Sequence, residues 1–248
     1  MIVAPQRPLS HPSDVFHPDG PTFAELARQA LSSTRRGYDL LAPKFDVTPF
    51  RTPEVVIRAT LDAVDGPVDR ALDLCCGTGA ALPLLRERSR EGVTGVDFSP
   101  GMLAVAQEQI EGVPDVTLVE ADVLSLRLDE RFDLVTCFGA LGHILPEDAP
   151  RLLATIHRHL RPGGRFAFAT ATLPSWRRPG RWLAEGFDAA MRVRNALIDP
   201  PFVMYYLTFL LPECLAALEE AGFASVVHHP VLEGPWARLR VVVAERRG

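Results

Sequence analysis

The chain has 248 residues, 47% of them hydrophobic, and a formal net charge of −5, enough for one α/β core plus an added segment without disulfides or a structural metal. The acidic balance argues against a nucleic-acid footprint spread over the surface. Cys75, Cys76, Cys137 and Cys214 stand at no metal-ligand spacing, and three of them fall in expected strands, so they read as small buried hydrophobes of a reducing compartment with no metal site.

Residues 1–21 carry Pro5, Pro8, Pro12, Pro18 and Pro21 with little periodicity and are expected to form an extended or disordered arm. His11 and His17 fall in it as solvated side chains. Thr22-Phe-Ala-Glu25 is a capping box that opens a helix expected to reach about Arg36. Thr52-Pro53-Glu54 opens another, with Pro53 at the first helical position and Asp65-Gly66 as its stop. Between them, Tyr38, Leu41 and Phe45 recur at helical spacing.

Val68 to Gly79, VDRALDLCCGTG, joins a buried strand to a glycine turn. Its nearly continuous apolar run suits a strand covered on both faces, with Asp73 as the polar exception. Gly77 and Gly79 allow a sharp turn close to a ligand, and Thr78 to Arg88 is expected to continue as a helix with Ala81, Leu82 and Leu85 on one side. Asp97 closes the next apolar run, Gly92 to Asp97, about 20 residues after Gly77, where a ribose-binding carboxylate belongs in a nucleotide-binding βαβ unit. A pyrophosphate-binding fingerprint needs a third glycine where Leu82 stands. A ligand with a ribose and no pyrophosphate fits better.

Ser99-Pro100 opens a helix to Glu111 with Met102, Val105 and Ala106 facing inward. Val116 to Glu120 is the third strand and Asp122-Val123 follow it. The fourth strand, Phe132 to Phe138, feeds Gly139-Ala-Leu-Gly-His143-Ile144, at the strand end where open α/β sheets bind ligands. Glu147 to Leu160 reads as a helix burying Leu152, Leu153 and Ile156, with His157 and His159 outward, and Arg165 to Thr172 as the fifth strand. Residues 174–210 break the alternation. Trp176, Arg177, Arg178, Arg181, Trp182, Arg192 and Arg194 precede the apolar Phe202-Val-Met-Tyr-Tyr-Leu, which reads either as a cap for an apolar or aromatic ligand with an acidic group or as a solvated arginine-rich helix over a hydrophobic underside. Pro212 to Gly222 is a helix, and Ala224 to Leu232 and Trp236 to Glu245 close the sheet as a hairpin-like pair.

Asp73-Leu-Cys-Cys-Gly77-Thr-Gly79, Gly95-Val-Asp97-Phe-Ser99, Glu120-Ala-Asp122-Val123, Phe132-Asp133 to Cys137-Phe138 and Leu160-Arg-Pro-Gly163-Gly164 occur in an order that resembles the class I S-adenosylmethionine-dependent methyltransferases, in their small-molecule, ubiquinone/menaquinone methyltransferase-like branch. The resemblance implies a Rossmann-like, doubly wound α/β fold with a seven-stranded, mostly parallel sheet and an antiparallel C-terminal strand. It divides the chain into an N-terminal helical lid (22–66), a methyltransferase core (67–173 and 211–248) and an inserted substrate cap (174–210). It implies S-adenosyl-L-methionine as cofactor, held by Tyr38, Asp73, Cys75, Gly77, Thr78, Gly79, Asp97, Phe98, Met102, Asp122, Val123, Cys137 and Phe138. Phe98 and Met102 would sandwich the adenine, Asp122 and Val123 would bond its edge, and Tyr38 belongs to a "YD…YD" lid element whose second Tyr is Phe45 here. For Tyr38 and Met102, plain core packing is the alternative.

Methyl transfer from a sulfonium is an in-line displacement that a dry, shaped pocket accelerates without an obligatory catalytic side chain. A hydroxyl or amine acceptor still has to lose a proton, and His143 is the titratable group beside the expected methyl, so it stands as general-base candidate or as a loop histidine that shapes the pocket. Asp199-Pro-Pro-Phe202 spells a nucleic-acid methyltransferase motif in the wrong place, since Cys137-Phe138-Gly139 ends the fourth strand. The expected enzyme methylates a small-molecule acceptor, with O-methylation ahead of N or C and nucleic acid excluded. A binding subunit without catalysis and a nucleotide-dependent dehydrogenase are the alternatives, the latter opposed by Leu82 and Asp122. No apolar run reaches the ~18 residues of a membrane span, and the N-terminus carries no basic region before an apolar one, so a cytoplasmic protein is expected.

Overall fold

The computed structural model describes residues 19–248. Most of the expected arm, with His11 and His17, therefore lies outside the described residues. Seven strands form one sheet: β1 (Arg70–Leu74), β2 (Gly92–Asp97), β3 (Val116–Glu120), β4 (Phe132–Cys137), β5 (Leu160–Ala171), β6 (Phe223–His228) and β7 (Leu239–Arg246), in the order β3-β2-β1-β4-β5-β7-β6. The pairs from β3 through β5 are parallel, and β7 runs antiparallel to both β5 and β6. Strand order reverses between β1 and β4, so a crevice opens at their carboxyl ends.

Alternation along each strand divides the core. Leu72 and Val135 join Phe132, Phe166 and Phe168 on one face, under α6 (Ala149–His159) and α8 (Glu213–Glu220). Their neighbours Ala71 and Leu134 face the other way, against Ile57 and Leu61 of α3 (Glu54–Asp62) and Leu82 and Leu85 of α4 (Leu82–Arg88). Both faces are covered, which is why β1 and β4 are apolar almost without interruption.

Several elements depart from their expected bounds. The helix from Thr22 breaks into α1 (Phe23–Ala30) and α2 (Thr34–Leu41), because Ser33 turns out to extended backbone and caps α2 through its hydroxyl. Pro53 is the residue before α3, not its first. The first strand stops at Leu74 and Cys75 takes a left-handed φ of 54°, so neither Cys75 nor Cys76 lies in a strand. Residues 78–81 form a turn, and α4 begins only at Leu82. α6 begins at Ala149 rather than Glu147 and β5 at Leu160 rather than Arg165. His159, expected outward, is buried: its Nε2 accepts from the Leu128 N–H and its Nδ1 meets the Thr155 carbonyl.

After β5, α7 (Pro179–Leu197) and the loop behind it pack beside the crevice. Buried Asp188 of α7 accepts the main-chain N–H groups of Tyr206 (2.8 Å) and Leu207 (3.1 Å). Tyr205 N–H donates to Gly142 O (2.8 Å) and Val203 N–H to the Thr34 hydroxyl (2.8 Å). One loop is thereby tied to α7, to the loop after β4 and to α2. Among the described residues no helix is long and apolar enough to cross a membrane.

Candidate active site

The crevice is a cavity of about 450 Å³, of the size small-molecule sites have. Its walls include Tyr38, Asp73, Cys75, Gly77, Thr78, Asp97, Phe98, Met102, Asp122, Val123, Phe138 and His143. Two expected residues are not on the wall. Gly79, at φ 84°, sits where a Cβ would meet Ala106 Cβ and Leu82 Cδ1 at 3.2 Å, so it packs the turn on α5 (Pro100–Gln109). Cys137 is buried behind the wall at the end of β4.

Asp97 holds the near end together. Its two oxygens accept the N–H groups of Gly77 and Ser99, each at 2.9 Å, which fixes the β1 turn against the start of α5. Burial pushes its carboxyl above the ordinary range, and those N–H bonds work the other way. Asp73 is 2% exposed and receives the Thr136 hydroxyl at 2.7 Å. Burial outweighs that bond and pushes Asp73 up to about 7. A hydrogen bond with Cys137 and then burial hold the Cys75 thiol well above its usual value. Met102, 1% exposed, lines the cavity and donates its N–H to the Ser99 hydroxyl (3.1 Å), and Asp122 caps the turn after β3 through the Leu124 N–H at 2.9 Å.

Asp39 and Asp46, the acidic members of the YD…YD element to which sequence reasoning gave no role, bind the N-terminal helices to this floor, and Arg51, which it missed, lies beside Asp46. Asp39 of α2 accepts from the Ser99 hydroxyl (2.6 Å) and the Gly101 N–H (3.0 Å). Asp46 accepts the Thr78 hydroxyl at 2.6 Å and lies 3.2 Å from the Arg51 Nε. Arg51 is the one Lys or Arg among the wall residues, and its buried Nε makes no hydrogen bond. The two aspartates follow Tyr38 and Phe45 directly, a spacing that could have singled them out; Arg51 left no signal beyond its place before Thr52-Pro53.

At the far end Tyr38 Oη lies 2.6 Å from His143 Nε2, and His143 Nδ1 is hydrogen-bonded to the Val203 carbonyl. A carbonyl only accepts, so Nδ1 carries the proton, Nε2 is a lone pair, and Tyr38 donates to it. Burial pushes the imidazole below its ordinary value and the Tyr38 phenol above its own. Tyr38 is wedged edge-on to Phe45 and stacked on Phe202. Val203, Met204 and Tyr206 from the loop after α7 complete this end.

Residues 71–164 match a family model described as a methyltransferase domain. The chain is 34% identical over 179 residues to a 2-phytyl-1,4-naphtoquinone methyltransferase of Nostoc punctiforme, spanning 66% of this chain and 76% of that protein. It is also 34% identical over 178 residues to a demethylmenaquinone methyltransferase of Thermus thermophilus, spanning 68% and 80%. The chain belongs to the class I S-adenosylmethionine-dependent methyltransferases. An O-methyltransferase family protein of Burkholderia thailandensis shares the fold at a TM-score of 0.68 and 17% identity, over 91% of this chain and 67% of that one. The methyltransferase thus uses S-adenosylmethionine and acts on a small molecule, and its seven-stranded mixed sheet with the antiparallel β7 is the expected one.

Proposed function

We propose that this methyltransferase O-methylates an apolar aromatic acceptor carrying a hydroxyl, such as a hydroquinone. The carrying observation is one mostly apolar cavity lined both by Asp97, Met102 and Asp122 and by the Tyr38–His143 pair. The residues present fit the cofactor. Asp97 suits ribose hydroxyls, Phe98 and Met102 suit the faces of an adenine, and Asp122 with the Val123 main chain suits its edge. Asp73, Cys75, Gly77 and Thr78 would lie along the methionine part, and Arg51 would meet its carboxylate. Gly79 and Cys137 support that floor from behind.

When bound, S-adenosylmethionine supplies an electrophilic methyl on a positively charged sulfur. The chain's own residues position an acceptor in line with it and keep water out. Residues 22–66 act as a lid and 174–210 as the cap, since Asp39 and Asp46 clamp the first to the cofactor floor and Val203 to Tyr206 bring the second to the far end. The quinone substrates in the relatives' names support a fused aromatic acceptor, and a cavity of about 450 Å³ suits a free small molecule rather than nucleic acid. Reduced cysteines are in keeping with work in the cytoplasm.

The test is incubation with S-adenosylmethionine bearing a trideuterated methyl and a panel of naphthohydroquinones, catechols, anilines and C-nucleophiles, read by mass spectrometry. A trideuteromethyl ether on a hydroquinone or catechol oxygen is the expected product. Transfer only to carbon or nitrogen, or to none of the panel, would count against the proposal.

A further inference from the structure

We infer that Tyr38 is the catalytic residue that receives the acceptor's proton, with His143 as the base behind it. The inference rests on the O-methylation reading above. Its ground is the engagement of both imidazole nitrogens. Nε2 takes the Tyr38 hydroxyl at 2.6 Å and Nδ1 is held by the Val203 carbonyl, so the imidazole has no lone pair left to offer an acceptor. Tyr38 Oη does have one, and Tyr38 lines the cavity. A hydroxyl in the cavity therefore meets the phenol, not the ring nitrogen.

The phenol is also suited to passing a proton rather than losing one. It is half-buried, packed against Phe45, His143 and Phe202, with Asp97, Cys75 and Tyr206 as the further groups whose negative forms oppose a phenolate. It gives up its proton only as it takes another. In the transfer step the acceptor oxygen forms its bond to the methyl carbon and the methyl–sulfur bond breaks, its electron pair going to sulfur. The acceptor's proton moves to Tyr38 Oη, and the Tyr38 proton moves to His143 Nε2. The positive charge that leaves sulfur reappears on the imidazolium, where the Val203 carbonyl accepts from Nδ1–H. After product leaves, Nε2 returns its proton through Tyr38 to water. The three groups come from α2, from the loop after β4 and from the loop after α7, so the relay is complete only when all three are together.

The experiment pairs Tyr38→Phe, His143→Gln and the double variant, each first checked by S-adenosylhomocysteine titration and thermal melting. Nitrogen NMR of histidine-labelled protein reads the imidazole directly, with His143→Gln assigning the signal. In the wild type Nδ1 should be protonated and Nε2 a hydrogen-bonded lone pair at neutral pH, and Tyr38→Phe should shift the Nε2 resonance. With 1,4-naphthohydroquinone as the probe acceptor, each single variant should lose on the order of 10²-fold in kcat, and the double variant no more than either alone. Tyr38→Phe that keeps wild-type turnover would overturn the relay, because transfer would then need no phenol between the acceptor and the imidazole. A protonated Nε2 in the wild type would overturn it as well. A wild type that methylates the probe on carbon, or not at all, would overturn the underlying reading instead.

Discussion

Asp73→Asn should stabilise the ligand-free protein at alkaline pH, although it deletes a charge from the most recognisable stretch of the chain. The carboxyl is 2% exposed, its one side-chain partner is the Thr136 hydroxyl, and burial raises it from 3.8 to about 7. Because the folded value lies above the unfolded one, the unfolded chain holds fewer protons between pH 3.8 and 7, so stability falls as pH rises through that window and stays low above it. The full difference corresponds to about 4 kcal/mol at 1.36 kcal/mol per pH unit, an upper bound for a site that relaxes. An asparagine keeps an oxygen for Thr136 to bond and has no charge to bury, so the gap between its melting temperature and that of the wild type should widen from pH 5 to 8. At pH 8 the variant should exceed the wild type by at most about 8–16 °C, taking ~2–4 °C per kcal/mol for a chain of this size. Calorimetric melting of both proteins across that range is the assay. A variant less stable than wild type at pH 8, or a gap between the two that does not widen from pH 5 to 8, would refute the reasoning.

Arg51→Ala should weaken S-adenosylhomocysteine by about 10–100-fold, as for a lost charge-assisted hydrogen bond of ~1.5–3 kcal/mol, and leave 5′-methylthioadenosine, which lacks the carboxylate, unchanged in a parallel titration. Gly37→Ala should destabilise by about 1–3 kcal/mol in denaturant unfolding, where an ordinary helical site would gain. Its Cβ would stand 2.6 Å from Phe202 Cε2 and 3.0 Å from the Gln29 carbonyl oxygen, forcing α2 away from the cap. Asp133→Asn should cost about 2 kcal/mol at pH 7, because Asp133 accepts the N–H groups of Asp69 (3.0 Å) and Arg70 (2.9 Å) and pairs with Arg161. Burial pushes that carboxyl up, but the Arg70 N–H, Arg161 and the Asp69 N–H together hold it below the ordinary range. Its contribution is therefore present above pH 3.8, and the gap to the variant should close as acid takes the wild type through the lowered value.

The parallel sheet was legible because strands covered on both faces are mostly apolar, and β1, β2 and β4 are, with Asp73, Thr94, Asp133 and Thr136 as interior exceptions. Asp97 was legible through its distance from Gly77, and the structure joins the two by a hydrogen bond. Positions fixed by distant contacts were not. Gly79 and Cys137 carry the same motif letters as their neighbours, yet whether a residue faces the cavity or the layer behind it depends on how the β1 turn seats on α5, which no local pattern encodes. His159 read as outward from helical spacing until the Leu128 N–H closed over it. The break at Ser33 lies inside a run with helical spacing on both sides, and what marks it is the extended backbone of Ser33 and its hydroxyl cap on the Arg36 N–H. Arg51 has no local pattern to mark it, and only the fold brings its buried Nε beside Asp46 without a hydrogen bond.

The central claim is that the cavity at the carboxyl ends of β1 to β4 binds S-adenosylmethionine through Asp97. Titration calorimetry of the wild type and Asp97→Ala with S-adenosylhomocysteine, beside NAD, tests it most directly. Micromolar binding of S-adenosylhomocysteine to the wild type, none of NAD, and loss in a variant that still melts cooperatively is the predicted result. Equal binding by the variant, or a preference for NAD, would contradict the account.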